Sequence, residues 1–349
     1  MDKPQKKTGS PILLFFAAFA VVIIVTIVTN RRSPVAAELQ IPLNNGIAAL
    51  STCGNLLAAV SNDSRFYIWE WTDLSKSHQE FDVESDQSVL LALDKAISLK
   101  RIRPDYVTLS RLEDGKKQVK IPLPYESDVG CLGINSDRSR IFILLTDGNR
   151  QGGDQVKCEL LEVLVDSEKI DRILTFNSEK SFPANISVSD DGRYIVVAGE
   201  KNNLGWVAVL DAKEDRLLWQ KEMPEFEKIF RAVFSKDGEV IYARGTDSTL
   251  LVIKADSGEI TDRLLPIKKN RNTFRVQATQ TVAVSRDGNL VAATIFTGVY
   301  VWNTNTKKKL CEFGSSHKAI SSITFSDDSR YLATSDMRQG GKIIILKLP

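Results

Sequence analysis

The chain has 349 residues, of which 43% are hydrophobic and 26% are charged, and its formal net charge is +2. The basic excess lies at the amino-terminal end, and without that end the chain keeps 41 basic and 43 acidic residues. A domain with that balance has no general affinity for nucleic acid. At about 300 residues it can bury roughly three quarters of its unfolded surface without disulfides or metals. The residues left out of the count are Lys3, Lys6, Lys7, Arg31, Arg32 and Asp2.

The chain begins with a short basic tail, residues 1–10, followed by an uncharged apolar segment, residues 11–29. This segment is about as long as the shortest bilayer-spanning helices, which need roughly 17 residues. We therefore predict an uncleaved transmembrane anchor, joined to the next domain by a linker, residues 30–37. A cleaved signal peptide is the alternative, since Val35, Ala36 and Ala37 offer small residues at a cleavage site.

The positive charges on the two sides of the apolar segment bear on its orientation. They slightly favour a cytoplasmic amino terminus, which predicts a single-pass membrane protein with its large domain outside the cytoplasm, and in the periplasm if the source is bacterial. Four cysteines without a pairing pattern argue modestly against this orientation. They are Cys53, Cys131, Cys158 and Cys311.

From residue 38 onward, short apolar runs rich in β-branched residues alternate with turns rich in Asp, Ser and Gly. The best-defined turns end at Gly192, Gly238 and Gly288, a weaker copy ends at Gly54, and Ser139 and Ser329 take the glycine position in two further copies. Successive copies lie roughly 40 to 53 residues apart, which brackets the period of a propeller blade. A degenerate copy over residues 89–109, with its turn at 94–95, brings the number of units to seven.

The third run of several units ends on an aromatic residue, as in the sequences FYIW and VYVW. Together with a Ser and an Asp after the second run and a His before the first, this pattern resembles the WD40-repeat family. In that family these side chains form a hydrogen-bonded brace inside one blade, so the resemblance implies a structural role. No unit has the full set, and the residues that match are Ser61, Asp63, Trp69, Trp302, His317, Ser335 and Asp336.

The predicted fold is therefore all-β: a seven-bladed WD40-like β-propeller over residues 38–349, preceded by one N-terminal transmembrane helix. Residues 38–43 have no partner within the first unit, and the chain ends after a third strand. We expect residues 38–43 to pair as the outer strand of the last blade and so to close the ring. Pro42 suits such an edge strand, because it lacks a backbone N–H.

A basic run in the connection between the fifth and sixth blades is the predicted partner-binding site. In WD40 propellers such connections open onto the face that commonly takes partners, and an arginine can pair bidentately with a carboxylate or phosphate. A solvated loop is the alternative. The predicted residues are Lys268, Lys269, Arg271, Phe274 and Arg275.

Catalytic motifs are missing from the sequence. The chain has two histidines, His78 and His317, too few for a multi-histidine metal site, and it lacks nucleophile-elbow and phosphate-loop motifs. We predict no enzymatic activity, no metal and no cofactor, but a membrane-anchored scaffold for protein–protein interaction. The alternative is an extracytoplasmic propeller enzyme or small-ligand binder that uses the central channel.

Overall fold

The structure is a computed structural model, and every element in its described part is a β-strand. It describes residues 25–26, 35–40, 46–82, 88–92, 95–99, 106–112, 118–123, 128–146, 155–179, 181–246, 249–264, 281–295, 298–314, 320–336 and 341–349.

The described strands form seven antiparallel sheets, which are the blades of a β-propeller. Two strands at the beginning of the chain, β1 (Val25–Thr26) and β2 (Val35–Gln40), belong to the last sheet. The first blade contains β3 (Ile47–Cys53), β4 (Leu56–Ser61), β5 (Arg65–Glu70) and β6 (Asp73–Asp82). The second contains β7 (Ser88–Ala92), β8 (Lys95–Leu99), β9 (Tyr106–Arg111) and β10 (Gln118–Pro122).

The later blades repeat the same order of four strands. The third contains β11 (Asp128–Ile134), β12 (Arg140–Thr146), β13 (Gln155–Leu164) and β14 (Lys169–Glu179). The fourth contains β15 (Ser181–Val188), β16 (Tyr194–Lys201), β17 (Leu204–Asp211) and β18 (Arg216–Met223). The fifth contains β19 (Ile229–Phe234), β20 (Val240–Gly245), β21 (Leu250–Lys254) and β22 (Ile260–Leu264). The sixth contains β23 (Val282–Val284), β24 (Leu290–Ile295), β25 (Gly298–Asn303) and β26 (Lys309–Gly314), and the seventh contains β27 (Ile320–Phe325), β28 (Tyr331–Asp336) and β29 (Lys342–Lys347).

The first strand of each blade contacts the first strand of the next, and β27 contacts β3. These seven strands therefore surround a central channel. The two faces of a blade pack against its neighbours, which explains why the middle strands are apolar throughout rather than alternating. Trp206 on β17, for example, is fully buried in a layer that joins the third and fourth blades.

Strand β2 is the outer neighbour of β29 and joins the beginning of the propeller to its end. Ala37 pairs with Ile345 and Leu39 with Ile343, and all four side chains are buried in one cluster. The closing strand is thus Val35–Gln40, whereas the sequence predicted residues 38–43. Burying Ala37 and Leu39 on the apolar face of β29 sets this register.

The predicted anchor, residues 11–29, lies outside the described residues except for Val25 and Thr26. These two pair antiparallel with Leu39 and Glu38, so at these positions the backbone is a strand and not the predicted helix. No helix long and apolar enough to cross a bilayer occurs in the described part of the chain. A helix that left this strand intact would be limited to residues 11–24, about 21 Å at 1.5 Å per residue, against a hydrocarbon core of about 30 Å. The strand and a spanning helix over residues 11–29 are therefore alternatives.

Candidate functional site

The turns between the first and second strands form one end of the central channel, which we name the turn mouth. It includes residues 135–139, 285–289 and 326–330. The opposite end, where the second and third strands connect and successive blades join, is the loop mouth.

In four blades a serine is the first residue of the turn, and its hydroxyl donates to the aspartate two residues later. The Oγ to Oδ1 distance is 2.6 Å for Ser189 and Asp191 and for Ser285 and Asp287.

Each of these turns needs one residue with a positive φ, where glycine is favoured. Gly192 has a φ of 73° and Gly288 a φ of 80°, while Ser329 fills the position with a φ of 59°. In the third blade the residue is Arg138, with a φ of 61°, and not the predicted Ser139. A positive φ is uncommon for arginine. At this position it directs a long cationic side chain across the turn mouth.

The side chain of Arg138 crosses the turn mouth to two other blades. Its Nη2 lies 3.2 Å from Oδ1 of Asp327 and 3.1 Å from the carbonyl oxygen of Thr52, and its Nη1 lies 3.0 Å from Sγ of Cys53. The Asp327 carboxylate also accepts a hydrogen bond of 2.8 Å from the backbone N–H of Gly54. One carboxylate of the seventh blade thus connects the first and third blades.

A second arginine reaches the same place from the sixth blade. The Nη2 of Arg286 lies 3.4 Å from the carbonyl oxygen of Ser136, and its Nε lies 3.9 Å from Oδ2 of Asp327. Arg138 and Arg286 therefore span the turn mouth from different sides of the ring. A ligand that entered at this end would have to displace an ion pair.

Inside the channel, Arg231 lies on β19, the innermost strand of the fifth blade, and its side chain is exposed. The surrounding protein lowers the pKa of Arg231 by desolvation, and the thiol of Cys131 on β11 opposes this shift. Because β19 is one of the seven strands that surround the channel and the Arg231 side chain is exposed, Arg231 forms part of the channel wall.

The cross-strand partner of Arg231 is a second arginine, Arg244 on β20. Arg244 is buried, and its guanidinium donates to the carbonyl oxygens of Thr294, at 2.7 Å, and Gly245, at 3.3 Å. The Thr294 hydroxyl accepts a hydrogen bond of 3.0 Å from the N–H of Thr281, where the connection between the fifth and sixth blades ends. Two cationic side chains are thus adjacent at the junction of these blades, toward the loop mouth.

The predicted partner-binding residues lie outside the described residues, in the connection 265–280. They are Lys268, Lys269, Arg271, Phe274 and Arg275.

The predicted brace is assembled only in part. The Ser61 hydroxyl donates to Oδ1 of Asp63, but the buried Nε1 of Trp69 has no hydrogen-bond partner among the described residues. Trp69 stacks instead on Tyr67, at 6.0 Å between ring centroids, and Trp302 stacks on Tyr300 in the same way. Each of these two indoles thus packs on the tyrosine two residues earlier in its strand.

The remaining predicted brace residues lie in the seventh blade or in the segment that precedes its first strand. Ser335 is fully buried, and its hydroxyl lies 2.8 Å from that of Ser321. His317 lies outside the described residues, and of Asp336 only the backbone is described.

Sequence reasoning did not identify Arg138, Asp327, Arg231 and Arg244. One signal for Arg138 was available, because it replaces glycine in a repeated turn. All four cysteines are free thiols in the structure. Within the described ranges, no three His, Cys, Asp or Glu side chains are arranged to hold a metal ion.

A family model described as outer membrane protein assembly factor BamB matches residues 203–348, from just before β17 through the seventh blade. No curated protein matches the chain. The match and the seven sheets agree on a β-propeller, and neither distinguishes the WD40-repeat family from other propellers.

Proposed function

We propose that this chain is a membrane-anchored, WD40-like propeller that acts outside the cytoplasm as a scaffold for a protein partner and has no enzymatic activity of its own. The observation that carries this proposal is the similarity of residues 203–348 to an outer membrane protein assembly factor. By its description, such a factor takes part in the assembly of outer membrane proteins. That role supports a protein partner and a periplasmic location for this chain.

The docking surface in this proposal is the face around the loop mouth. The turn mouth is crossed by Arg138 and Arg286, which leaves the other face for a partner that engages the channel. The connection that carries the predicted cations ends at Thr281, which is hydrogen-bonded to Thr294. This end of the connection is therefore fixed to the sixth blade, and the docking residues in the proposal are Lys268, Lys269, Arg271, Phe274 and Arg275.

Anchoring by residues 11–29 remains part of the proposal, and its support is the apolar sequence alone. Anchoring requires the two-residue pairing of Val25 and Thr26 with β2 to open, because the helix and the strand exclude each other. The pairing of β2 with β29 then closes the propeller by itself. An anchor this close to the propeller would hold a bound partner at the membrane and raise its effective concentration.

A second candidate function, binding of a small ligand in the channel, has one observation in its favour. Arg231 presents a desolvated cation to the channel. Ligand-dependent stabilisation of the protein against heat would support this candidate over a scaffold that binds only proteins.

The experiment that tests the docking face reverses four charges at once. We expect full-length protein with Lys268→Glu, Lys269→Glu, Arg271→Glu and Arg275→Glu to lose the proteins that crosslink to the unaltered chain in cells, at an unchanged melting temperature. The matched control is Lys307→Glu, Lys308→Glu and Lys309→Glu, in a hairpin between the third and fourth strands of the sixth blade. If the first variant keeps its crosslinked proteins as well as the control variant does, the connection 265–280 is not part of the docking face.

A further inference from the structure

We propose that Arg231 binds a carboxylate of the docking partner, an Asp or Glu side chain that enters the channel through the loop mouth. This inference deepens the proposed function and rests on it. The binding group is a side chain inside the channel and not part of the connection 265–280.

The position of Arg231 suits a group that enters from the loop mouth. The first strand of each blade runs from the loop mouth to the turn mouth, and Arg231 is the third residue of β19, Ile229–Phe234. At about 3.3 Å per residue its Cα lies roughly 7 Å inside the entry end of the strand. An extended side chain on a partner loop can reach that depth. Entry from the opposite end is obstructed by Arg138 and Asp327.

The charge of Arg231 is not balanced within the described part of the chain. No described carboxylate pairs with its guanidinium, and its cross-strand neighbour Arg244 carries the same charge. Like charges opposite each other on neighbouring strands destabilise a sheet. Other described arginines do form ion pairs with carboxylates, namely Arg65, Arg138, Arg140, Arg172, Arg193, Arg216, Arg263, Arg286 and Arg330.

An incoming carboxylate would offset this cost. Desolvated guanidinium groups form strong, often bidentate, hydrogen bonds with carboxylates, and the Arg231 side chain is exposed on an inner strand of the ring. Arg244 adds a second positive charge nearby, while its own N–H groups donate to the carbonyl oxygens of Thr294 and Gly245. A single accessible guanidinium fits one carboxylate better than a phosphate, which carries more charge and more acceptor oxygens.

The test uses full-length protein in detergent and a fluorescein-labelled hexaglutamate peptide as the probe. We expect Arg231→Gln to weaken peptide binding roughly 10- to 100-fold, as the loss of one charge-assisted hydrogen bond would. We expect Arg231→Lys to weaken it less, because the charge remains and the bidentate geometry is lost. The matched control is Arg330→Gln, which removes an exposed arginine at the turn mouth and should leave binding unchanged.

Three results would overturn the proposal: no binding of the peptide to the unaltered protein, equal binding by Arg231→Gln, or displacement of the peptide by acetate or inorganic phosphate at equal concentration. The last would identify a site for free anions. Because Arg231 has no described ion pair to lose, Arg231→Gln should keep the melting temperature, which excludes misfolding as the cause of weaker binding.

The proposed function and this inference can fail separately. If the loop-charge variant keeps its crosslinked partners while Arg231→Gln loses the peptide, the predicted docking loop is wrong and the Arg231 site stands. If the loop variant loses its partners and Arg231→Gln binds the peptide normally, the docking face stands and this inference is wrong.

Discussion

Arg138 of the third blade and Asp327 of the seventh meet across the turn mouth in a bidentate ion pair, with Nη2 3.2 Å from Oδ1 and Nη1 3.3 Å from Oδ2. The two side chains are only 13% and 21% exposed. The pair is therefore shielded more than a surface ion pair, and its carboxylate also accepts the N–H of Gly54. It connects parts of the ring that are far apart along the chain.

Removing the charge of Asp327 should destabilise the propeller. Asp327→Asn leaves the half-buried Arg138 without its counter-charge, so we expect the free energy of unfolding to fall by about 1 to 3 kcal/mol, measured by urea denaturation. The control is Glu259→Gln, which breaks an exposed pair with Lys254 and should cost less than about 0.5 kcal/mol. If Arg138→Gln and Asp327→Asn have fully additive effects in a double-mutant cycle, the pair does not stabilise the ring.

Stability should fall in acid because several carboxylates have lowered pKa values. Burial raises the pKa of Asp287, but hydrogen bonds from Ser285 and Asn289 lower it by a larger amount. The pKa of Asp287 therefore lies below its ordinary value. Burial also raises the pKa of Asp211. The charge and hydrogen bonds of Arg193, together with the backbone N–H groups of residues 213 and 214, lower this pKa by a larger amount. A carboxyl group with a lowered folded pKa stabilises the fold above its unfolded pKa and loses that contribution as the pH falls through the folded pKa.

We therefore expect the free energy of unfolding to decrease as the pH falls below about 4, measured by urea denaturation at several pH values. Asp287→Asn should reduce the dependence on pH, because asparagine still accepts the Ser285 hydrogen bond but does not titrate. A variant with the same dependence as the unaltered chain would show that Asp287 does not contribute to it.

The repeated turns made the blades predictable from the sequence, because the positive φ at Gly192, Gly238 and Gly288 restricts the residue type locally. Even the second blade was found at the expected place, with β7 ending at Ala92 and β8 beginning at Lys95. The contact between Arg138 and Asp327 was not predictable, because it joins residues 189 positions apart through the geometry of the closed ring. Arg231 was missed for a related reason: only the assembled ring shows which residues of an inner strand face the channel.

The joint between β2 and β29 should be essential for stability. Leu39 is fully buried against Ile343 and Ile345, so Leu39→Ala should lower the free energy of unfolding by about 2 to 5 kcal/mol. A chain that begins at Asn45 lacks β2 and should unfold at a lower temperature than one that begins at Ser33, which lacks only β1. Equal melting temperatures for these two shortened chains, measured by calorimetry, would show that β2 does not close the ring.

The state of Val25 and Thr26 decides whether the apolar segment crosses the membrane. In the structure Thr26 pairs with Glu38, and paired Cα atoms in antiparallel strands lie about 4.5 to 5.5 Å apart, a distance that a disulfide can bridge. If residues 11–29 span the bilayer as proposed, Thr26 lies in the membrane, away from Glu38. We therefore expect the variant Thr26→Cys, Glu38→Cys to stay uncrosslinked in membranes treated with a mild oxidant, and the protein to remain in the membrane pellet after an alkaline wash.

The matched variant Ala37→Cys, Ile345→Cys pairs β2 with β29 and should crosslink in the same membranes, which controls for the oxidant. Crosslinking of Thr26→Cys to Glu38→Cys, with release of the protein by the wash, would mean that β1 persists as a fifth strand of the last blade and that the chain is not anchored by this segment.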